Sequence, residues 1–328
     1  MPTQYFFASW NLENLFDIED SPRRDDKLKR AIGKSIHGWT QALLERKIGQ
    51  LASIIKKMNN ARGPDLLGIY EVENRFVVDL LVQALAPLGR NYQVIHHDTP
   101  DKRGIDVAFI YDANLLVVPE PLDGSVFSHF VLRRTATRDI LQVNFKTAAR
   151  GRLFVVMGNH WPSRSGGEAE SAAYRAIAGE TLAYFHQRVL EIYGDATPVL
   201  AMGDFNDEPF DPSLTDYALA QRSPKIVTGG KSPYFLDLMW PLMGQGLGSL
   251  YYDQGPNLLD QFLANKNLIK DNSPLKVLPA SAEIVRFPEM VAKGAFPKPV
   301  PFGGMGKPVN QNGFSDHFPI SVTVVEAD

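Results

Sequence analysis

The sequence contains no cysteine. Disulfide bonds, thiolate metal sites and a cysteine nucleophile are therefore excluded. No apolar run approaches the ~18 residues of a membrane-spanning segment, so we expect no membrane span. The stretch from Met1 to Tyr5 lacks the basic region and following apolar segment of a secretory signal. A cytoplasmic location is the resulting expectation.

Neither sign of charge dominates the chain. There are 34 Lys and Arg residues and 37 Asp and Glu residues, which give a formal net charge of −3 with histidine neutral. We therefore do not expect the protein to be held on nucleic acid by its overall charge, although a local basic patch remains open. The hydrophobic fraction of 44% is that of a globular protein with a large core. Nothing in the sequence identifies a protein partner.

Several apolar runs in the sequence end in polar residues. The run at 199–202 follows a proline, is typical of a buried strand, and leads into Gly203, Asp204 and Asn206. Because side chains alternate along a strand, Asp204 and Asn206 are expected to point the same way. Oxygen-rich groups at such a strand end suit a hard cation or a phosphate. An ordinary turn rich in Asp, Asn and Gly is the alternative.

Other apolar runs end in the same manner. Apolar residues at three- and four-residue spacing predict a helix from Thr40 to residue 58, and a second long helix is predicted over 168–190. Each helix lies between two predicted strands, which indicates crossover connections. The polar residues at or beside the boundaries of the apolar runs are Asn11, Glu71, His160, Asp204, Asn206, Asp260, Asp316 and His317.

This set of residue types indicates one class of metal. There is neither a cysteine nor a His-x-x-x-His pair, so a structural or proteolytic zinc site is not expected. Carboxylates with Asn and His suit Mg²⁺ or Mn²⁺, which keep water ligands and bind phosphate oxygens of a substrate. We therefore expect Mg²⁺ or Mn²⁺ as cofactor and a phosphoester as substrate.

Five motifs, in order along the chain, resemble those of the endonuclease/exonuclease/phosphatase (DNase I-like) superfamily. They are SWNLENLF at 9–16, EVE at 71–73, GNHW at 158–161, GDFN at 203–206 and SDH at 315–317, with LDQ at 259–261 between the last two. The resemblance implies an α+β fold, a four-layer α/β sandwich in which two mainly antiparallel sheets pack face to face and are flanked by helices. We expect one such domain over residues 1–328, with a long Pro- and Gly-rich loop at 272–313 inside it.

The resemblance also implies a divalent-metal-dependent enzyme that hydrolyses a phosphodiester. The residues that it assigns to the metal are Asn11, Glu71 and Asp316. It assigns Asp204 to the attacking water and Asn206 to a phosphate oxygen. His317, oriented by the carboxylate of Asp260, would face the phosphate, and His160 would contact the phosphate or serve the leaving group. We expect Asp316 and His317 to come from the same sheet as Asp204.

Three further residues are candidate substrate contacts. Asp106 is the only charged residue between Ile105 and Tyr111, and it is expected either to partner His160 or to pair with an arginine. Arg164 lies in a loop rich in Gly and Ser, where it would bind a phosphate bidentately or lie on the surface. Tyr252 would stack on a base or ring substrate, or pack at a rim.

Three functional alternatives remain open. A polynucleotide is the first expectation, because the histidine at 160 and the loops bearing Arg and Tyr fit it. A phosphatase or phospholipase acting on a small or lipid headgroup is the alternative, and the mild negative charge fits it slightly better. The third is a binding module that kept the fold and lost activity, against which the intact set of polar residues argues.

Overall fold

The computed structural model describes residues 2–132, 137–252, 255–294 and 296–328. The strands in these ranges are β1 (Thr3–Leu15), β2 (Leu66–Val72), β3 (Tyr92–His96), β4 (Asp106–Asp112), β5 (Leu116–Val117), β6 (Val126–His129), β7 (Ile140–Thr147), β8 (Leu153–His160), β9 (Val199–Asp204), β10 (Ala220–Gln221), β11 (Phe235–Asp237), β12 (Leu250–Tyr252), β13 (Gly255–Asn257), β14 (Asp260–Asn265), β15 (Leu275–Ile284) and β16 (Ile320–Glu326).

The helices are α1 (Asp26–Ile32), α2 (Gln41–Ile55), α3 (Met58–Ala61), α4 (Arg75–Ala84), α5 (Glu168–Tyr193), α6 (Pro224–Gly229) and α7 (Lys266–Ile269). Short 3₁₀ turns occupy Gly33–Ile36, Ala86–Leu88, Leu122–Gly124, Arg164–Gly166, Trp240–Leu242 and Pro288–Met290, and Ser213–Tyr217 forms a π turn. Within the described ranges, no helix combines the length and the apolar character that crossing a membrane requires.

The strands form two large sheets and one small hairpin. Sheet 1 has the order β15-β16-β1-β2-β4-β3, and sheet 2 has the order β10-β11-β14-β9-β8-β7-β5, with β6 also paired to β7. Most neighbouring strands are antiparallel. The parallel pair β1–β2 is joined through α2 and the parallel pair β8–β9 through α5, as the sequence predicts for the two crossovers.

Three hydrophobic clusters define the layers of the fold. The central one lies between the sheets and includes Phe7, Phe109 and Phe262. A second joins sheet 1 to α2 and α4, and a third joins sheet 2 to α5. The order helix, sheet, sheet, helix is the predicted four-layer sandwich, which is thereby confirmed.

Helix α2 shows how the local sequence produces one of these layers. The hydroxyl of Thr40 accepts a hydrogen bond from the backbone N–H of Leu43 (3.4 Å), which caps the first turn. Buried residues then recur along one face of the helix, with Leu44, Ile48 and Leu51 among them. The same face also buries a lysine, Lys47, which amphipathic patterning does not predict.

The prediction of a loop throughout 272–313 is wrong for its first part. Residues Leu275–Ile284 form β15, which pairs with β16 at the edge of sheet 1. Leu275 and Val277 are buried in the central core, whereas Lys276 between them is more exposed. Pro279 falls where the pairing register shifts, and an edge strand tolerates a proline at such a point.

The prediction that Asp316 and His317 come from the same sheet as Asp204 is also wrong. Both residues lie in the short segment that leads into β16, which pairs with β1 in sheet 1. The imidazole of His317 reaches from there to Asp260 of sheet 2. Contact between the sheets, rather than membership of one sheet, therefore brings these side chains together.

Candidate active site

A carboxylate from the first sheet stands on an irregular part of β2. The pairing of β2 with β4 skips one residue at Glu71, whose φ of 64° is left-handed. Such a bulge re-aims a side chain out of the strand alternation. The side chain of Glu71 is 13% exposed, and its Oε1 lies 3.6 Å from Nε2 of His160 on sheet 2.

Three nitrogen atoms surround one carboxylate oxygen of Asp204. Nδ2 of Asn11 donates a hydrogen bond to Oδ2 of Asp204 (3.0 Å). Nε2 of His160 and Nε2 of His317 each lie 3.7 Å from the same oxygen. The other oxygen, Oδ1, accepts from the backbone N–H of Asn206 (2.9 Å). Burial raises the pKa of Asp204 to about 7.

Glycine before Asp204 permits the close approach of β8 and β9. Gly203 has a φ of 149°. A Cβ at this position would collide with the carbonyl oxygen of Asn159 on the neighbouring strand. The parallel register sets His160 directly beside Asp204, so the glycine helps determine the distance between two site residues.

His317 is held by groups from both sheets. Its Nδ1 lies 2.8 Å from Oδ2 of Asp260, a residue that pairs with Asp204 across β14 and β9. Nε1 of Trp10 donates to the carbonyl oxygen of His317 (2.9 Å). Burial opposes the charged imidazolium, but the carboxylates of Asp260 and Asp204 outweigh it and hold the pKa of His317 well above its usual value.

His160 has the opposite electrostatic character. Burial and then the positive charges of Arg138 and Arg103 lower its pKa well below the usual value. Its Nδ1 is buried and has no hydrogen-bond partner among the residues that the structure describes. The ring packs edge-on against Tyr70, with centroids 6.3 Å apart. At neutral pH the site therefore pairs a neutral imidazole with a cationic one.

Asn206 reaches the site by a turn and not by strand alternation. Strand β9 ends at Asp204, and Asn206 has a left-handed φ of 52°. Its Nδ2 donates to the carbonyl oxygen of Trp161 (3.0 Å). The reason for expecting Asp204 and Asn206 to point the same way was thus wrong, although the turn still brings Asn206 beside the site.

Arg138 is a site residue that the sequence reasoning missed. Its Nη2 donates to the carbonyl oxygen of Trp161 (2.6 Å), which also accepts from Asn206, and its Nη1 lies 3.4 Å from Oδ2 of Asp101. Its Nε is buried without a hydrogen-bond partner among the described residues. The one available signal was a charged residue two positions before the apolar run of β7.

A buried ion pair beneath the site was missed as well. Nζ of Lys47 lies 4.0 Å from Oε2 of Glu13, and neither side chain is more than 1% exposed. Burial and the neighbouring Asp316 raise the pKa of Glu13 to about 7. Burial lowers the pKa of Lys47 to about 8, against the opposing effect of the carboxylates of Glu13, Asp316 and Glu71.

The remaining predicted metal residue, Asp316, lies at the exposed side of this group. Its side chain is 35% exposed, and its Oδ2 is 3.6 Å from Nζ of Lys307. Its charge raises the pKa of both Glu13 and His317, so it lies close to the buried ion pair and to the histidine.

The structure does not place two of the predicted substrate contacts as expected. Oδ2 of Asp106 lies 3.1 Å from Nε2 of His96. Oδ1 of Asp106 accepts hydrogen bonds from the backbone N–H and the hydroxyl of Thr99. The expected pairing of Asp106 with His160 or an arginine is therefore wrong, because His96 and Thr99 take both oxygens.

Arg164 is likewise engaged elsewhere. Its guanidinium forms ion pairs with Asp207 (2.7 Å) and Asp211 (2.5 Å), and its Nε donates to the carbonyl oxygen of Asn206 (2.7 Å). Carboxylates thus take the positions that a phosphate would need. Arg164 is therefore neither free to bind a phosphate nor free on the surface. Its contacts stabilise the turn that follows β9.

Tyr252 remains a candidate substrate contact. It is 78% exposed at the end of β12, in the hairpin formed with β13. Leu250 of the same strand forms an isolated bridge with His317. The exposed ring of Tyr252 therefore lies on a strand whose backbone pairs with that of His317.

The donor atoms fit a hard divalent cation. Ligand atoms of Asp204, Asp260 and His317 lie within 4.8 Å of one another, but Nδ1 of His317 and Oδ2 of Asp260 already contact each other. Glu71 and Asp316 are more exposed, and together with Asn11 they offer carboxylate and amide oxygens, the ligands that Mg²⁺ and Mn²⁺ prefer. The chain has no cysteine to select a softer metal.

The chain resembles a known family in sequence. A sequence model described as the Endonuclease/Exonuclease/phosphatase family matches residues 6–326. No curated protein matches the chain in sequence.

Solved structures share the fold. The human Nocturnin catalytic domain with bound sulfate anion is 18% identical, with a TM-score of 0.59 over 99% of this chain and 95% of that chain. D. rerio TDP2 complexed with single strand DNA product is 13% identical, with a TM-score of 0.58 over 98% and 99%. A mannosyl-6-phosphatase from Bacteroides thetaiotaomicron is 15% identical, with a TM-score of 0.53 over 98% and 99%.

Proposed function

Because this chain belongs to the endonuclease/exonuclease/phosphatase family, we propose that it hydrolyses a phosphodiester with the help of a divalent metal ion. One observation carries the proposal. Asn11, His160 and His317, from both sheets, converge on a single carboxylate oxygen of Asp204. A carboxylate held in this way is suited to orient a water molecule for in-line attack and to take its proton.

The histidines have separate parts in this proposal. His317, kept cationic by Asp260 and Asp204, places positive charge opposite a phosphate. His160 lies between Glu71 and Asp204 and contacts the phosphate or the leaving oxygen. Asn206 holds a phosphate oxygen, and the buried guanidinium of Arg138 adds positive charge beside it, linked through the carbonyl of Trp161.

Glu71, Asn11 and Asp316 are the residues that would hold the metal, which we propose to be Mg²⁺ or Mn²⁺. When bound, the ion supplies Lewis-acid stabilisation of the negative charge that develops on the leaving oxygen. The bulge at Glu71 supports this assignment, since it gives the carboxylate an orientation that a regular strand would not.

We propose a nucleic acid as the first substrate class. The positive charges of Arg103 and Arg138 lie close enough to His160 to lower its pKa, and they suit a polyanion. Tyr252 offers an exposed ring for stacking on a base. The similar D. rerio protein with a single-strand DNA product is consistent with this choice.

A small or lipid phosphoester is the second candidate. It is favoured by the similar Bacteroides thetaiotaomicron mannosyl-6-phosphatase and by the net charge of −3. Such a substrate needs no extended basic surface.

A substrate panel tests both candidates. Purified protein is incubated with Mg²⁺ or Mn²⁺ and plasmid DNA, RNA, bis-p-nitrophenyl phosphate, p-nitrophenyl phosphate or a phospholipid. We expect hydrolysis of DNA or RNA and of the small diester, and loss of both activities in EDTA. Cleavage of the small diester without DNA or RNA would overturn the nuclease assignment.

Two further outcomes overturn more of the proposal. Activity that survives EDTA would exclude the metal ion from the reaction. Absence of any hydrolysis, with wild type and Asp204→Ala indistinguishable, would identify a binding module instead of an enzyme.

A further inference from the structure

A buried lysine that the proposed reaction does not use joins two parts of the site. The side chain of Lys47 is fully buried. Its Nζ donates one hydrogen bond to the carbonyl oxygen of Glu13 (3.1 Å) and one to that of Phe314 (2.9 Å). Glu13 lies two residues after Asn11, and Phe314 lies two residues before Asp316. One ammonium group therefore ties together the segments that carry two of the proposed metal residues.

Hydrogen bonds connect both segments to the site. The backbone N–H of Glu13 donates to Oδ1 of Asn11 (3.0 Å), which orients the amide whose Nδ2 donates to Asp204. On the other side, the hydroxyl of Ser315 donates to the carbonyl oxygen of Asn11 (2.6 Å) and accepts from the backbone N–H of His317 (3.1 Å). A movement of either carbonyl that Lys47 holds thus reaches Asn11 and His317 within one or two hydrogen bonds.

The cost of burying this charge argues for a specific role. Lys47 lies on the face of α2 that otherwise buries residues such as Leu44, Ile48 and Leu51. An ammonium group is expensive to remove from water, and a methionine of similar length would fill this position without that cost. The positive charge of Lys47 is compensated mainly by the carboxylate of Glu13, whose Oε2 lies 4.0 Å from Nζ.

We propose that Lys47 is a positioning residue, which holds the Asn11 end of β1 and the turn containing Asp316 and His317 at the spacing that metal binding requires. The inference rests on the proposed function, because it takes Asn11, Glu71 and Asp316 as the metal residues. It adds a residue on α2 that contacts neither the substrate nor the metal.

Calorimetric titration of the full-length protein with Mn²⁺ tests the proposal. We expect Lys47→Met to bind Mn²⁺ at least tenfold more weakly than wild type, and Lys47→Arg, which keeps donors and charge, to recover part of the affinity. Loss of a positive charge near Glu71 and Asp316 would by itself tighten cation binding. Weaker binding therefore reports on position and separates this role from a purely electrostatic one.

Leu51→Ala is the matched control. Leu51 is buried one turn further along α2, in the hydrophobic cluster that joins sheet 1 to α2 and α4, so this variant reports the effect of a loosened helix. We expect it to lower the thermal midpoint and to bind Mn²⁺ as wild type does. Equal or tighter Mn²⁺ binding by folded Lys47→Met would overturn the proposal. If Lys47→Met does not fold, Lys47→Leu, which also lacks the donors and the charge, takes its place, and Mn²⁺ binding equal to or tighter than that of wild type in that variant would overturn the proposal.

Hydrolysis measured in parallel keeps this inference separate from the proposed function. We expect Lys47→Met to lower kcat for bis-p-nitrophenyl phosphate with a smaller change in KM at saturating Mn²⁺. A wild-type protein that binds Mn²⁺ and hydrolyses nothing would defeat the proposed reaction, while the ratio of Mn²⁺ affinities would still decide the role of Lys47.

Discussion

Single residues in this protein acquire their properties from burial and from their immediate partners. His160 and His317 both lie close to Asp204, yet burial with two arginines lowers the pKa of one, and two carboxylates raise the pKa of the other. Environments that drive the pKa values of neighbouring groups apart are typical of active sites. The histidine type alone does not predict which ring is cationic.

A buried aspartate away from the site gives a prediction about pH. Burial raises the pKa of Asp237 to about 7, and its Oδ2 has no hydrogen-bond partner among the described residues. Between pH 4 and pH 7 the folded state keeps a proton that the unfolded state has lost, so the free energy of unfolding falls as pH rises. We expect a loss of roughly 1.4 kcal/mol per pH unit from this group, ending above pH 7.

Urea unfolding of wild type and Asp237→Asn at pH 5, 6, 7 and 8 measures this effect. The variant cannot titrate at this position, so the difference between the two free energies of unfolding should change up to about pH 7 and then stay constant. A constant difference across the whole range would show that Asp237 is ionised in the folded protein at pH 5.

Residue types at strand ends were the informative part of the sequence for the site. Asn11, Glu71, Asp204 and His317 were found because each lies inside, after or before an apolar run. Arg138 and Lys47 were not found, because a charged residue beside a strand or on a helix is usually solvated. Their burial depends on carbonyl oxygens that the tertiary fold supplies, and no local spacing encodes those contacts. The catalytic and metal roles stay predictions.

At the scale of elements, the parallel strand pairs β1–β2 and β8–β9 position the site. The ends of β8 and β9 set His160 beside Asp204, and β1 brings Asn11 to the same carboxylate at the point where its pairing with β2 becomes irregular. Apolar runs and helical spacing predicted these strands and the crossover helices. The bulge at Glu71 and the edge strand β15 were not predicted, because irregular pairing depends on neighbouring strands.

The close approach of β8 and β9 gives a prediction at this scale. We expect Gly203→Ala to lower turnover by at least tenfold and to destabilise the protein, because the added Cβ would collide with the carbonyl of Asn159 and push Asp204 away from His160. Turnover of bis-p-nitrophenyl phosphate and the thermal midpoint are the measurements.

Gly194→Ala is the control for this variant. Gly194 also has a positive φ, of 104°, but a Cβ there meets nothing within 4 Å. It should share the backbone strain without the loss of turnover. Equal turnover in Gly203→Ala and wild type would show that the spacing of the two strands does not matter for the reaction.

For the whole molecule, the site exists only where the two sheets meet. Asn11, Glu71 and His317 come from sheet 1 or the segment that leads into it, whereas His160, Asp204 and Asp260 come from sheet 2. The resemblance to a family predicted the four layers correctly. It did not assign His317 to the correct sheet, since a side chain that reaches across leaves no trace in motif order.

Assembly from two sheets predicts that metal binding stabilises the whole protein. The unfolded chain does not hold these ligands together, so Mn²⁺ at about 100 times its Kd should add about 2.7 kcal/mol to the free energy of unfolding. Differential scanning calorimetry should show a higher midpoint with Mn²⁺, and Glu71→Gln should lose most of the increase. An unchanged increase of the midpoint in that variant would indicate that the ion binds elsewhere, for example at His96, Asp98 and Asp106.

The role of Asp204 is the central claim, and Asp204→Asn tests it most directly. The measurement is turnover of bis-p-nitrophenyl phosphate together with Mn²⁺ binding on the same preparation. The amide keeps the shape of the side chain but cannot accept a proton from water, so we predict that turnover falls by ~10² or more while Mn²⁺ still binds. Turnover equal to that of wild type would contradict the assignment, and a parallel loss of Mn²⁺ binding would show that Asp204 holds the metal instead of the water.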